Sequence, residues 1–311
     1  MGRAFWQLWS SSTLSNLADG VVKVAFPLVA VTLTDSPALV AGVGVAVTLP
    51  WLLFALPAGA LADRVDRRAA MLTANVVRAS ALVVLVATVL LGSGSIWALY
   101  AVALFLGAAE TVHDTCAQSI LPQVVPRKRL SRANGRLHAA ELTANEFIGP
   151  PLGGLLVAVG VAAAFASSAA LWAVAVGVML LLQGRFRVPR EHRTSLRADV
   201  ADGLRFLWRQ HLLRTLAVMT GLFNVATNAT FAVFVLYAVG PNSALGLSGA
   251  GYGLLFATIA GGSLVGALIA ERVEQRLGRA RTLALGILGG ALIVTAPALT
   301  TEPLLIALGF F

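Results

Sequence analysis

Lysine and arginine fall in every second connector of this sequence and in no other, and that alternation leaves few folds open. Apolar runs long enough to cross a hydrocarbon core of roughly 30 Å recur along the whole chain, at about 13–34, 38–60, 69–91, 96–120, 137–159, 162–183, 213–238, 249–270 and 280–300. A tenth run begins near Pro303 and reaches Phe311 before it is long enough to span, which reads as a chain ending mid-helix. The connectors near 35, 93, 160, 244 and 301 hold no basic residue. Arg3 and the groups Arg64–Arg68, Arg127–Arg136, Arg185–Arg214 and Arg272–Arg281 hold all but two of the 23 lysines and arginines. Positive charge in short loops marks the cytoplasmic side, so the N-terminus is expected in the cytoplasm. One missed or invented span would place a basic loop outside.

Composition agrees with the bilayer as solvent. The chain is 58% hydrophobic and 12% charged, and a soluble domain carries about twice that charge. The net charge of +9 belongs to the basic loops, so no nucleic-acid partner is expected. The single cysteine, Cys116, excludes an internal disulfide and a cysteine-based metal site. The first apolar run already holds Asp19 and Lys23, which makes it an uncleaved span and not a secretory signal. Neither Lys23 nor Lys128 follows a glycine, so a phosphate-cradling loop is absent, and no nucleophile elbow or His-Glu-x-x-His helix occurs. An enzyme is not expected, nor a cofactor, and His113 and His138 stand too isolated to hold a metal.

The expected fold is all-α and polytopic. The longest polar segment, 184–212, separates six spans from those that follow and contains an amphipathic stretch from Leu196 to Leu213. Leu196, Val200, Leu204, Leu207 and Leu213 form one apolar stripe there, with Arg197, Asp202, Arg205 and Arg209 facing water, as in a linker helix lying in the interface. The segment Gly59-Ala60-Leu61-Ala62-Asp63-Arg64-Val65 recurs, with one inserted residue, as Gly266–Val273. A repeat set six spans apart signals a duplicated six-helix half. The domains read as a six-helix half over 1–183, a cytoplasmic linker over 184–212, and a second half over 213–311, incomplete after about nine and a half spans in all.

Gly59, Leu61, Asp63, Arg64, Arg67 and Arg68 resemble the signature loop between spans two and three of the major facilitator superfamily. In that family the loop latches the two halves together on the cytoplasmic side, and Asp66 stands where the family often has glycine. In span five, Gly149-Pro150-Pro151-Leu152-Gly153-Gly154 resembles the superfamily's antiporter motif, with Asn145 at its usual upstream glycine. Proline kinks a helix, and Gly149 and Gly153 at four-residue spacing admit a neighbouring backbone. Gly59 has the same expected use, and Gly262 with Gly266 reads as a packing seam in span eight. The stretches Ser15–Gly20, Asp35–Pro37, Leu121-Pro122 and Arg132–Asn134 are similar to the branch containing enterobactin exporters and macrolide-efflux-like carriers. The resemblance implies a drug/proton antiporter-like carrier in the bacterial inner membrane, with a small-molecule substrate, protons and the lipid bilayer as partners, working as a monomer. A siderophore exporter of the same fold and a truncated, non-transporting remnant or scaffold are the alternatives.

Six ionisable residues lie well inside spans: Asp19, Lys23, Arg78, Glu110, Asp114 and Glu146. Unpaired at mid-membrane, each would cost about 2.5–3.5 kcal/mol. They are the candidates for proton coupling and transport, Asp19 and Glu110 first, and static ion pairs that orient helices are the competing use. Asp19 and Lys23 are four apart on one helix face and are expected to neutralise each other or share a cavity, near Asn16. At 1.5 Å per residue, Arg78 and Glu146 lie about 14 Å from the cytoplasmic end, which pairs Arg78 with Glu110, Asp114 or Glu146. Asn224, Thr227 and Asn228 in span seven form a polar, cavity-lining face opposite Phe231 and Phe234.

Overall fold

The structure is a computed structural model that describes residues 1–187, 196–239 and 243–311. Residues 188–195 of the basic linker, with Arg190 and Arg193, lie outside the described residues. The helices are α1 (Arg3–Leu33), α2 (Pro37–Ala62), α3 (Arg67–Leu90), α4 (Ile96–Val124), α5 (Arg127–Val159), α6 (Val161–Leu180), α7 (Leu196–Arg209), α8 (His211–Ala238), α9 (Gly249–Leu277), α10 (Arg279–Leu299) and α11 (Pro303–Phe310). Among the described residues there is no strand. Among the described residues, eight helices are long and apolar enough to cross a membrane, namely α1–α6, α8 and the Gly249–Gly266 part of α9. α10 fills the expected ninth run, with a shorter apolar stretch at Ala284–Leu299.

Local chemistry sets the helix ends. Asp66 accepts from the Ala69 amide at the start of α3, Ser95 from Ala98 at α4, and Ser248 from Gly251 at α9, each satisfying an amide that has no partner within the helix. Pro37 and Pro303 sit in the first turns of α2 and α11, where a missing N–H costs nothing. Gly278 adopts φ +78° between α9 and α10, a left-handed turn open to glycine.

α1 starts ten residues earlier than hydropathy suggests. Gln7 and Ser10–Ser12 lower the average there, yet Phe5 and Leu8 are fully buried, Trp9 Nε1 donates to the Arg136 carbonyl at 3.1 Å, and the Arg136 guanidinium lies over Trp6. In the linker, α7 stops at Arg209 and a new helix begins at His211, so the amphipathic stretch is shorter than the expected Leu196–Leu213. Leu213 belongs to α8, and Leu204, Phe206 and Trp208 of α7 are exposed.

α5 changes pitch in its middle. A stretch of α-helix (Leu130–Glu141) gives way to a π turn (Leu142–Ile148) and then to Gly149–Val159. Pro150 and Pro151 bring no amide hydrogen, so the carbonyls four residues before them lose their helical donors. The Gly149 amide reaches back five residues to Ala144, the wider π spacing.

α1 is the central helix of a bundle formed by α1–α6, packed against α4, α5 and α6, while α3 lies against α4 and α6 and α2 against α4. α8–α11 form a second group that meets the first where α9 packs on α5 and α8 on α2. Between helices in lipid, close van der Waals contact of small residues replaces the hydrophobic effect, and glycine supplies it here. A Cβ on Gly149 would lie 2.6 Å from Gly20 Cα, and one on Gly153 would lie 2.6 Å from the Val21 carbonyl. On the other side of α5, Gly154 abuts the Gly249 backbone and Gly253 abuts the Pro150 carbonyl. The antiporter-like motif therefore sits between α1 and α9, at the junction of the two groups. Two expectations fail: among the described residues, nothing lies within 4 Å of a Cβ built on Gly59 or on Gly266. Both fall near the arginine-loop ends of their helices, where no described backbone approaches. Gly262 does pack closely, against the Phe311 backbone.

Candidate functional site

The four-residue spacing puts Asp19 and Lys23 on one face of α1, and they share a cavity, but they do not pair with each other. Each reaches a different helix. Asp19 meets Arg78 of α3 at 3.3 Å, and Lys23 meets Glu146 of α5 at 2.6 Å. The expectation that Arg78 serves Glu110, Asp114 or Glu146 is corrected in the same way. Depth along the membrane admitted those partners, but across the bundle the Arg78 guanidinium reaches α1, where Asp19 is its carboxylate partner.

The two pairs sit in different surroundings. Arg78 is fully buried, its Nη1 donating to Ser15 Oγ at 3.0 Å, Asn75 Oδ1 at 3.4 Å and Asp19, with its guanidinium 5.3 Å from the Trp172 ring centre. Ser15 Oγ also donates to Asn75 Oδ1 at 3.1 Å. Lys23 and Glu146 make a two-oxygen contact, 2.6 and 2.7 Å, on an open wall with 40% and 35% of their side chains exposed. The π turn carries Glu146 and Asn145, and the Asn145 carbonyl lies against Gly20.

These groups surround a cavity of about 280 Å³ between the two helix groups. Asp19, Lys23, Glu110, Asn145, Glu146 and Asn228 give it polar points, and Phe26, Trp51, Phe231, Tyr252 and Phe256 give it an aromatic wall. A mostly apolar pocket with a few converging polar groups is the usual form of a small-molecule site. Asp114 lies one turn beyond Glu110 on α4, where its Oδ1 accepts from the ring Nδ1 of buried His113 at 2.9 Å, and it does not line the cavity.

The remaining candidates divide. Asn228 lines the cavity, its amide donating to the Asn224 carbonyl at 2.8 Å. Asn224 is exposed and donates to the Thr220 carbonyl, and Asn16 is buried below the site with its amide on the Ser12 carbonyl, so neither lines it. Phe231 does not oppose Asn228. Three residues apart on a helix they are neighbours, and both face the cavity. Sequence reasoning missed Ser15, Asn75 and Trp172 behind Arg78, although polar side chains inside apolar runs were a visible signal for the first two.

At the arginine-rich loop between α2 and α3, Asp63 ends α2 and pairs with Arg67 at 3.2 Å. Arg67 also donates to the carbonyls of Ala62 and of Ser119 on α4, and Arg68 donates to the Met179 and Leu180 carbonyls at the end of α6. Asp66 accepts from the Phe186 amide at 2.9 Å, and the Arg67 amide donates to the Phe186 carbonyl at 3.2 Å. These bonds tie the ends of α2, α4 and α6 and the start of the linker together; Arg64 belongs to the same loop. Asp66 thus has a definite task where the resemblance leads one to expect glycine.

A bundle of apolar helices around a charged, aromatic-walled central cavity has the form of a membrane transporter, and comparison with known families places it in the major facilitator superfamily. The family model described as transmembrane secretion effector matches residues 2–310, and the chain belongs to that family. It is 30% identical over 300 residues to the multidrug efflux pump Tap of Mycobacterium bovis (strain BCG / Pasteur 1173P2), covering 89% of this chain and 68% of that one. It is 29% identical over 277 residues to the enterobactin exporter EntS of Salmonella typhi, covering 88% of this chain and 64% of that one. The fold is similar to the crystal structure of a bacterial homologue of the human lysosomal transporter Spinster, in an inward-facing and unoccupied conformation, with a TM-score of 0.68 at 16% identity, over 99% of this chain and 71% of that one. The chain is a multi-pass membrane protein.

Proposed function

We propose that this chain exports small amphipathic compounds in exchange for protons, by alternating access at the cavity between the two helix groups. The observation that carries the reading is the placement of Asp19 and Glu110 on the wall of an aromatic cavity, with the Arg78 guanidinium buried directly behind Asp19. A carboxylate in such a place is held between two opposing influences, loss of water and a nearby cation. Opening the cavity to one side and then the other changes the balance, so the group takes up and gives off a proton once per cycle. Similarity to a multidrug efflux pump supports export, and similarity to an enterobactin exporter supports a siderophore as the alternative cargo.

The two groups approach each other at Gly44 with Ala232, Gly154 with Gly249 and Pro150 with Gly253, all toward the ends away from the arginine loops. With those loops in the cytoplasm of a bacterial cell and the protein in the inner membrane, the cavity is closed on the outside and faces inward. The functional units are a six-helix half, the linker, and a second half, as the repeat suggests.

The test is efflux from proteoliposomes driven by a pH gradient, with Asp19→Asn, Glu110→Gln, Asp114→Asn and Glu146→Gln examined singly. Loss of the pH-gradient dependence is expected for at least one, with Asp19 and Glu110 foremost. Coupling that survives in all four variants refutes the reading.

A further inference from the structure

Two ion pairs border one cavity, Lys23 and Glu146 both lining it and Asp19 lining it with Arg78 behind, and they differ in what determines how easily each opens. Asp19 and Arg78 are 9% and 0% exposed, and Ser15, Asn75 and Trp172 hold the guanidinium from behind. Separating that pair would strand a buried charge. Lys23 and Glu146 are 40% and 35% exposed, and among the described residues each has its side-chain hydrogen bonds with the other alone. An exposed pair of this kind contributes little net stability, so a charged ligand group can take the place of either partner.

We propose that Lys23 and Glu146 form the polar receptor for amphipathic zwitterions: the ligand's anionic group replaces Glu146 at Lys23, its cationic group replaces Lys23 at Glu146, and its aromatic body lies against Phe26, Trp51 and Phe231. The inference rests on the central cavity being the transport site. A ligand with one charge cannot satisfy both partners. A cation at Glu146 leaves the Lys23 ammonium without its counter-charge. An anion at Lys23 leaves Glu146 unpaired in a cavity whose described lining already holds Asp19 and Glu110 and has Lys23 as its one cation. A zwitterion whose charges lie close together restores both bonds, because Lys23 and Glu146 stand side by side on the cavity wall.

Three probes with the same fluorophore and similar chains separate the cases: Nε-dansyl-lysine (zwitterion), dansylcadaverine (cation) and 6-(dansylamino)hexanoate (anion). Binding to the purified full chain is read from dansyl fluorescence. Charge-assisted hydrogen bonds to both partners should make Nε-dansyl-lysine bind at least about tenfold more tightly than either singly charged probe. Lys23→Met and Glu146→Gln should each erase that preference, the first favouring the cation and the second the anion. Equal affinities for the three probes, or a zwitterion preference that survives in both single variants, overturns the proposal. Where a single variant does not fold, the exchange Lys23→Glu with Glu146→Lys keeps both charges. It should keep the zwitterion preference, and a switch to one singly charged probe overturns the proposal. Proton-driven export of the same probes by proteoliposomes is scored separately. Zwitterion preference without export refutes the transport reading and supports the receptor, and export without preference refutes the receptor alone.

Discussion

Replacing Asp19 with Asn removes the counter-charge from a guanidinium that has no access to water. Arg78 is fully buried, and its Nε and Nη2 have no hydrogen-bond partner among the described residues. Its Nη1 retains Ser15 and Asn75, which carry no charge. Asn and Asp have nearly the same volume, so packing is unchanged and the loss is electrostatic. An uncompensated buried charge of this kind costs about 3–5 kcal/mol. Changing Arg78→Met as well removes the stranded charge while filling similar space. Ser15 and Asn75 keep their mutual bond, so the double variant should lie within about 1–2 kcal/mol of the unsubstituted protein. Thermal unfolding in detergent micelles, followed by tryptophan fluorescence, reads both, and Trp172 stacks on the affected group. A single variant that melts with the unsubstituted protein, or a double variant no more stable than the single, refutes the argument that charge pairing holds this site.

Two further variants test the frame around the site, alongside the carboxylate series that tests proton coupling. Asp66→Ala removes the cap of α3 and the acceptor for the Phe186 amide; a loss of about 1–2 kcal/mol is expected, together with faster hydrogen exchange at Phe186, and unchanged exchange there contradicts the anchoring role. Gly149→Val forces side-chain atoms into the Gly20 backbone, 2.6 Å from a Cβ. Overpacking of about 1–3 kcal/mol should lower the melting temperature and the yield of monodisperse protein, and normal behaviour on both counts dismisses the α1–α5 crossing as a tight contact.

The helix order and the basic loops were legible because both are one-dimensional: run length and arginine position need no knowledge of neighbours. The motif glycines of α5 were legible for the same reason, since four-residue spacing places Gly149 and Gly153 on one face. The charge partners were not. Asp19, Arg78, Glu110 and Glu146 share a depth in the membrane, and only the lateral arrangement of α1, α3 and α5 selects Asp19 for Arg78 and Glu146 for Lys23. The π turn also escaped, although Pro150-Pro151 removes two consecutive amide donors and marks where pitch must change. Gly59 and Gly266 show the limit of motif reading, because the same residue type that packs tightly at Gly153 meets open space at those two positions.

Lys23 and Asp19 project from α1 one turn apart, and their partners stand on two different helices, α5 and α3. α1 therefore acts like a shaft bearing two pins, each engaged with a different socket. Any rotation or sliding that frees one pin disturbs the other in the same motion. On the proposed function, cargo at Lys23 and a proton at Asp19 would be geared through the backbone of one helix, with no need for the two to touch.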